Sequence, residues 1–433
     1  MGVRFALPRA GAGPDWQRRP PRWRLETLYA GPEDPRLIAD AAGADIAGAR
    51  LYADLLRAIA PDQAVRLPSM VGDRTRLAET LAARAALLAD CGGSRLAAQF
   101  AGARPAERAG LACDLDAALA GAGAGLAQCL GAARAARPPA RAVDRRSISV
   151  AAAREAPALA ARLRPAGPWH AVRPMPATDW PEAIGDVLAG LERLHPDLAG
   201  AARATLDAGR VDAAAHGAKA GAFSHPGAGD GPWVCVNFTG LPASVAVLAH
   251  EMGHAAAQSL GAPADRRTAE THAILSECAA MRVRADRVGA AEARCETLFV
   301  LFVRMAAIAL FERAFEAEPT IEPLAISALW QEAFAFCAPH IDWTGYGRAW
   351  ALEPMLFAPP GAAADYLHAA CAAVLIDAAL AAGGQMARET YVSVLKDGAP
   401  AEAHLAALCG ERTMDEHVTS GFAAAARLAG LRA

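Results

Sequence analysis

His250, Glu251 and His254 stand in an HExxH frame within LAHEMGHAAAQSL. On a helix, positions i and i+4 share a face, so both imidazoles can reach one tetrahedral zinc at about 2.0–2.1 Å. A carboxylate beside them can take a proton from water that the metal has acidified to a pKa of about 7. The competing reading, two histidines buried on an apolar helix, leaves polar rings in need of partners. A catalytic zinc uses three protein ligands and keeps one position open, so another donor must come from elsewhere in the chain. Glu270 opens the next apolar run, AETHAILSECAAM, and is the favoured donor. Asp265, His272 and Glu277 compete with it. Asp265 falls in the turn between the two runs, and His272 points away at a two-residue offset. Glu277 lies two helical turns along, where it can orient a ligand histidine through its second ring nitrogen.

These residues need a scaffold. Val245, Leu248, Ala249, Met252, Ala256 and Leu260 flank the frame at helical spacing, and Gly261 with Pro263 supplies a helix stop. Just upstream, Trp233 to Phe238 forms a short β-favouring run behind a glycine-rich stretch. An edge strand there would let an extended peptide add as a further strand. Residues 34 to 135 alternate helical runs with Gly- and Pro-containing breaks and read as all-α. GAGAG at Gly121 to Gly125 follows no strand and carries no Lys-Ser/Thr, so it reads as a flexible break and not as a phosphate loop. The Pro/Arg-rich stretch RAARPPARAVDRR marks a boundary near residue 140, dividing an N-terminal helical lobe, 1–140, from a catalytic domain, 141–433. Further helices are expected from about 150 to 215 and from 290 to 433, with no internal repeat.

With 433 residues, 54% of them hydrophobic, the chain can bury a large core, as one big domain or two smaller ones. A net charge of -3 and the lack of a Lys/Arg block interleaved with aromatics argue against nucleic acid or an anionic membrane as partner. Nine cysteines are scattered singly without a CxxC pair and read as buried thiols. MGVRFALPRAGAGPDW lacks a signal-peptide core, and no run approaches 18 uninterrupted apolar residues, so a cytoplasmic location is expected. The oligomeric state is open.

The motifs resemble the M3 family of metallopeptidases, in the thimet oligopeptidase clan, and in particular its oligoendopeptidase F-like branch. The similarity covers most of residues 210 to 425. AKAGAFS, with Lys219, Gly221, Ala222, Phe223 and Ser224, matches the family's Gly-Lys-x-x-Gly-Ala-Phe/Tyr-Ser element. VCVNF, with Asn237, matches a strand ending in Asn, and Leu248 to Ala255 match the metal-binding helix. AETHAILSE matches a helix whose first glutamate is the third zinc ligand, which assigns that role to Glu270 and a supporting one to Glu277. The resemblance implies a mainly α, zincin-like (gluzincin) fold, with two helical lobes around a deep channel and a small β-sheet next to the HExxH helix. It further implies one Zn2+ per chain, oligopeptide substrates, and contacts to them from Gly221, Ala222, Phe223 and Asn237.

Two departures stand out. The chain is shorter than typical members and its loop between His254 and Glu270 is tighter, which implies a reduced N-terminal lobe. In WALEPMLFAPPGAAADYLHAA, Met355 stands where the family has a histidine, and Gly361, Ala362 and Ala363 replace Phe-Tyr-Tyr. Pro360, Asp365 and Tyr366 remain. A lost oxyanion donor typically costs roughly 100- to 1000-fold in rate. Tyr366 is the candidate to supply that hydrogen bond, with His340, Tyr346 and His368 as neighbours able to compensate. The glycine and alanines are expected to empty volume above the metal. A zinc metalloendopeptidase, or oligopeptidase, of restricted specificity is therefore expected, with Glu251 as general base. The alternatives are an enzyme on the same scaffold acting on a specialised small molecule or modified peptide, and a non-catalytic binding homologue.

Overall fold

The computed structural model describes residues 105–135, 142–163, 177–215, 222–229, 231–263, 265–288, 291–317, 319–343, 346–357 and 361–430, with shorter stretches within 15–59 and 83–91. Helices dominate, as the sequence predicts. α1 (Pro35–Ala41) and α2 (Ile46–Ile59) come first, followed by α3 (Pro105–Ala135), α4 (Ala142–Leu163), α5 (Trp180–Leu194) and α6 (Pro196–Asp207). Three short strands come next: β1 (Val211–Asp212), β2 (Phe223–His225) and β3 (Trp233–Cys235). α7 (Pro242–Ser259) carries the HExxH frame and α8 (Arg266–Val288) carries Glu270. α9 (Ala291–Leu298) runs through a π turn, Phe299–Arg304, into α10 (Met305–Ala317). α11 (Pro323–Cys337), α12 (Ala362–Lys396), α13 (Ala401–Cys409) and α14 (Met414–Leu428) follow.

The sheet has the order β1-β3-β2, with β1 parallel and β2 antiparallel to β3. The strand expected at Trp233–Phe238 is therefore central, and β2 is the margin nearer the metal helix: the expected edge strand lies elsewhere. The reason is visible in β3 itself, which is apolar on both faces. Trp233 and Cys235 join a cluster with Trp23, Tyr29, Leu37, Leu51, Tyr52 and Leu55, while Val234 faces the main core.

That main core runs from Leu88 to Leu428 and takes side chains from α3 as well as from α4, α7, α8 and α12. The expected break at Gly121–Gly125 lies inside the continuous helix α3. Leu126, Ala127 and Leu130 beside it are fully buried. A Cβ on Gly125 would lie 3.0 Å from Leu87 Cδ1, so the glycine marks close packing. Burial offsets its helix-propensity cost of about 1 kcal/mol. Of the boundary stretch near residue 140, residues 136–141 lie outside the described residues.

α12 is long and apolar enough to span a membrane by length and composition, yet its apolar window is 67% buried. It packs on α8, α13 and α14 and breaks direction at Gly384. Among the described cysteines every thiol is free, and five of them are buried.

Candidate metal centre

α7 starts with Pro242 at its first turn and ends at Ser259, followed at φ 109° by Gly261, the stop that the sequence predicts. Leu248, Ala249, Met252 and Ala256 anchor its core face, which turns His250 and His254 together with their rings 4.8 Å apart. Gly253, between the histidines, sets the distance to α8. A Cβ there would lie 2.5 Å from Ser276 Oγ and 3.1 Å from Ala273 Cα, so only glycine allows this approach.

The approach delivers the carboxylates. Glu270 Oε2 lies 3.2 Å from His250 Nε2 and 3.8 Å from His254 Nε2, and Glu277 Oε2 lies 3.5 Å from His250 Nδ1. Donor atoms of His250, His254 and Glu270 all fall within 4.8 Å of one another. Asp265 instead caps α8, accepting from Thr268 N–H at 3.1 Å. His272 Nδ1 sits 2.7 Å from the Tyr391 hydroxyl, on another face of the helix.

Burial and neighbouring charge shift the titrating groups of the cluster. Burial works to lower the pKa of His250, but the Glu270 and Glu277 carboxylates outweigh it and raise that pKa well above the ordinary value. Burial pushes the Glu251 carboxyl up to about 7, His250 opposing and Glu270 adding to the shift. Burial, with His250 adding, lowers His254 to about 4. Glu251 Oε2 and His254 Nδ1 are buried without a hydrogen-bond partner, a costly arrangement unless the site is completed by something else. Two imidazoles and a carboxylate within reach of one point, with a second carboxylate behind one imidazole, fit the donor set and outer support of a divalent zinc.

Tyr366 lies in the first turns of α12 and stacks on His250, ring centroids 6.0 Å apart and planes 22° from parallel. Burial, helped by Glu270, Glu277 and Glu251, raises its pKa well above 10, so it remains a phenol and a hydrogen-bond donor.

The proposed compensating residues sit in other surroundings. His340 is exposed, and Tyr346 is buried among Trp330, Phe334 and Trp343. His368 packs on His417 with centroids 4.4 Å apart. Met355 packs at the margin of the main core, its N–H donating to Glu353 at 3.0 Å. Nor is the space at Gly361 empty: a Cβ there would overlap the Arg145 side chain, and Ala362 and Ala363 are fully buried. An arginine from α4 fills that volume.

Of the expected substrate contacts, Ala222 is half-buried against the main core and Phe223 packs on Trp23 at 6.0 Å. Asn237 is exposed just past β3. Gly221, Lys219 and Pro360 lie outside the described residues. Sequence reasoning missed Arg145 and Arg267, which flank Asp365. Only their distant partner was noticed, because no local spacing links residues 220 and 98 positions apart.

A helical body holds, beside a small sheet, a His-His-Glu cluster of the kind that could bind a metal ion. No protein-family model and no curated protein matches the sequence. Solved structures do share the fold. A PZ peptidase A bound to an inhibitor superimposes with a TM-score of 0.64 at 14% identity, over 94% of this chain and 84% of its own. A candidate oligoendopeptidase F gives 0.58 at 16% identity, over 94% and 83%. An oligoendopeptidase F from Enterococcus faecium gives 0.51 at 12% identity, over 77% and 64%. The chain has the oligoendopeptidase F-like fold.

Proposed function

We propose that this protein is a zinc-dependent peptidase that hydrolyses peptide bonds in oligopeptides, with narrow specificity. The observation that carries the reading is the buried Glu251 carboxylate, its Oε2 without a hydrogen-bond partner, in the same helix turn as the His250 and His254 donors that meet Glu270. A purely structural metal site has no use for such a base. The fold shared with PZ peptidase and oligoendopeptidase F supports a peptide as substrate.

His250, His254 and Glu270 would hold the ion, and Glu277 would fix the tautomer of His250 through Nδ1. Zinc held there supplies Lewis acidity that polarises a carbonyl and acidifies water. Glu251 accepts the proton of the attacking water and returns it to the leaving amine. The Tyr366 phenol donates a hydrogen bond to the carbonyl oxygen as negative charge develops on it.

The Glu251→Gln protein is expected to keep stoichiometric zinc and lose about 100- to 10,000-fold in peptide turnover. Equal cleavage of an internally quenched peptide pool by variant and wild type would reject the mechanism.

A second reading has its own support in Met355 and the Gly361–Ala363 segment, which offer no side-chain donor beyond Tyr366. On this reading the same centre acts on one specialised small molecule or modified peptide. Zinc would then be stoichiometric while generic peptides remain intact, and broad cleavage of the pool rejects it.

A further inference from the structure

We propose that Asp365 is a positioning residue for the reaction, clamped between Arg145 and Arg267 so that Tyr366, its neighbour, stays stacked on His250. The inference rests on the role assigned to Tyr366 above.

Asp365 Oδ2 accepts from Arg145 Nη2 at 2.7 Å, and Oδ1 accepts from Arg267 Nε at 2.8 Å. Its side chain is 9% exposed, that of Arg267 8% and that of Arg145 19%, so solvent competes least for the Arg267 pair. Charge-assisted bonds of this kind are short and directional. Each arginine ties a different element to the start of α12. Arg267 lies on α8, one turn before Glu270, so it sets the register between the third donor and Tyr366. Arg145 comes from α4, on another side of the start of α12.

Gly361 makes room for this clamp. It precedes α12 at φ 78°, in the left-handed region, and a Cβ there would collide with Arg145 Cδ, Nε and Cζ. A side chain at 361 would therefore drive Arg145 off Asp365 and strain the backbone as well. Asp365 also sits in the first turn of α12, where a carboxylate complements the helix dipole. The charge is thus placed where the dipole and two guanidinium groups agree.

The full-length, zinc-loaded chain with labelled histidine and tyrosine tests the clamp by NMR. Wild type shows a through-space contact between the Tyr366 ring and the His250 imidazole, which Tyr366→Leu removes and thereby identifies. Asp365→Ala is expected to weaken or abolish this contact while circular dichroism stays unchanged. Arg145→Ala, which leaves the Arg267 pair in place, weakens it by less and carries the same readout should the first variant fail to fold. A contact of wild-type strength in a folded Asp365 or Arg145 variant overturns the proposal.

Kinetics add a second reading on the quenched peptide pool. Asp365→Ala lowers kcat by about 10- to 100-fold, because displacing a reacting group by about 1 Å costs up to roughly 100-fold. KM stays within about twofold, the mark of a group used in the transition state. In a Tyr366→Phe background the same substitution costs less than about threefold. Equal losses in both backgrounds overturn the proposal. If no peptide is cut, the reading of function fails while the ring contact still decides the clamp.

Discussion

The two sides of the centre are held by different means. On the α7–α8 side, His250, Glu251 and His254 share one helix, and Glu270 and Glu277 come from the next, brought close by Gly253. That side is built by helical period and one missing Cβ. On the α12 side, Tyr366 depends on Asp365 and on arginines 98 and 220 positions away in the chain. Packing sets the first half, and paired charge sets the second. Metal affinity and transition-state stabilisation should therefore fail independently.

The strongest test of that separation removes the metal half. His254→Ala is expected to lose stoichiometric zinc on dialysis, with hydrolysis falling to background. Full zinc retention in metal analysis would show that the cluster does not depend on this ring. Tyr366→Phe should do the reverse, keeping zinc while kcat/KM drops roughly 100- to 1000-fold. A rate equal to wild type would reduce Tyr366 to a packing ring. Gly253→Val should destabilise the fold by about 1–3 kcal/mol through overpacking, read from urea unfolding, and weaken zinc binding with it. Unchanged stability would mean that Ser276 and Ala273 yield more easily than their contacts imply.

The smallest effect concerns pH and lies behind both halves. His404 and His417 are buried, and burial lowers each to about 4 from an ordinary 6.5. Between those values the unfolded chain binds the protons, so stability is complete above about pH 6.5 and falls as pH drops toward 4. Both ring nitrogens of His404 are buried without a hydrogen-bond partner. His404→Leu should leave stability at pH 7 equal or higher and make the loss between pH 6.5 and 4.5 shallower. An equally steep fall in urea midpoint would assign acid sensitivity to other groups.

Much of the first half was legible in the sequence because its determinants are local. The HExxH spacing, the apolar flanks, the stop at Gly261 and the run opening at Glu270 all lie within about forty residues. The mainly α character and a short strand ahead of the metal helix were readable from residue pattern, whereas the small sheet was implied only by the resemblance of the motifs. Strand order was not, since two or three residues of β1 and β2 carry too little pattern to show that β3 is flanked on both sides. The glycines of α3 misled for a related reason. Local propensity reads GAGAG as a break, whereas contacts with Leu87 and Pro323, remote in sequence, keep it helical. Gly361 was noticed as a lost side chain, but its occupant, Arg145, could come only from three dimensions.

β2 spans only Phe223–His225, and among the described strands it forms one margin of the sheet. At a rise of about 3.3 Å per residue, that margin is about 10 Å long. It is a short ruler: a chain laid along it registers over about three residues and is unmeasured beyond them. Main-chain pairing of that length is indifferent to side-chain identity, so a chain added there would be aligned without being chosen.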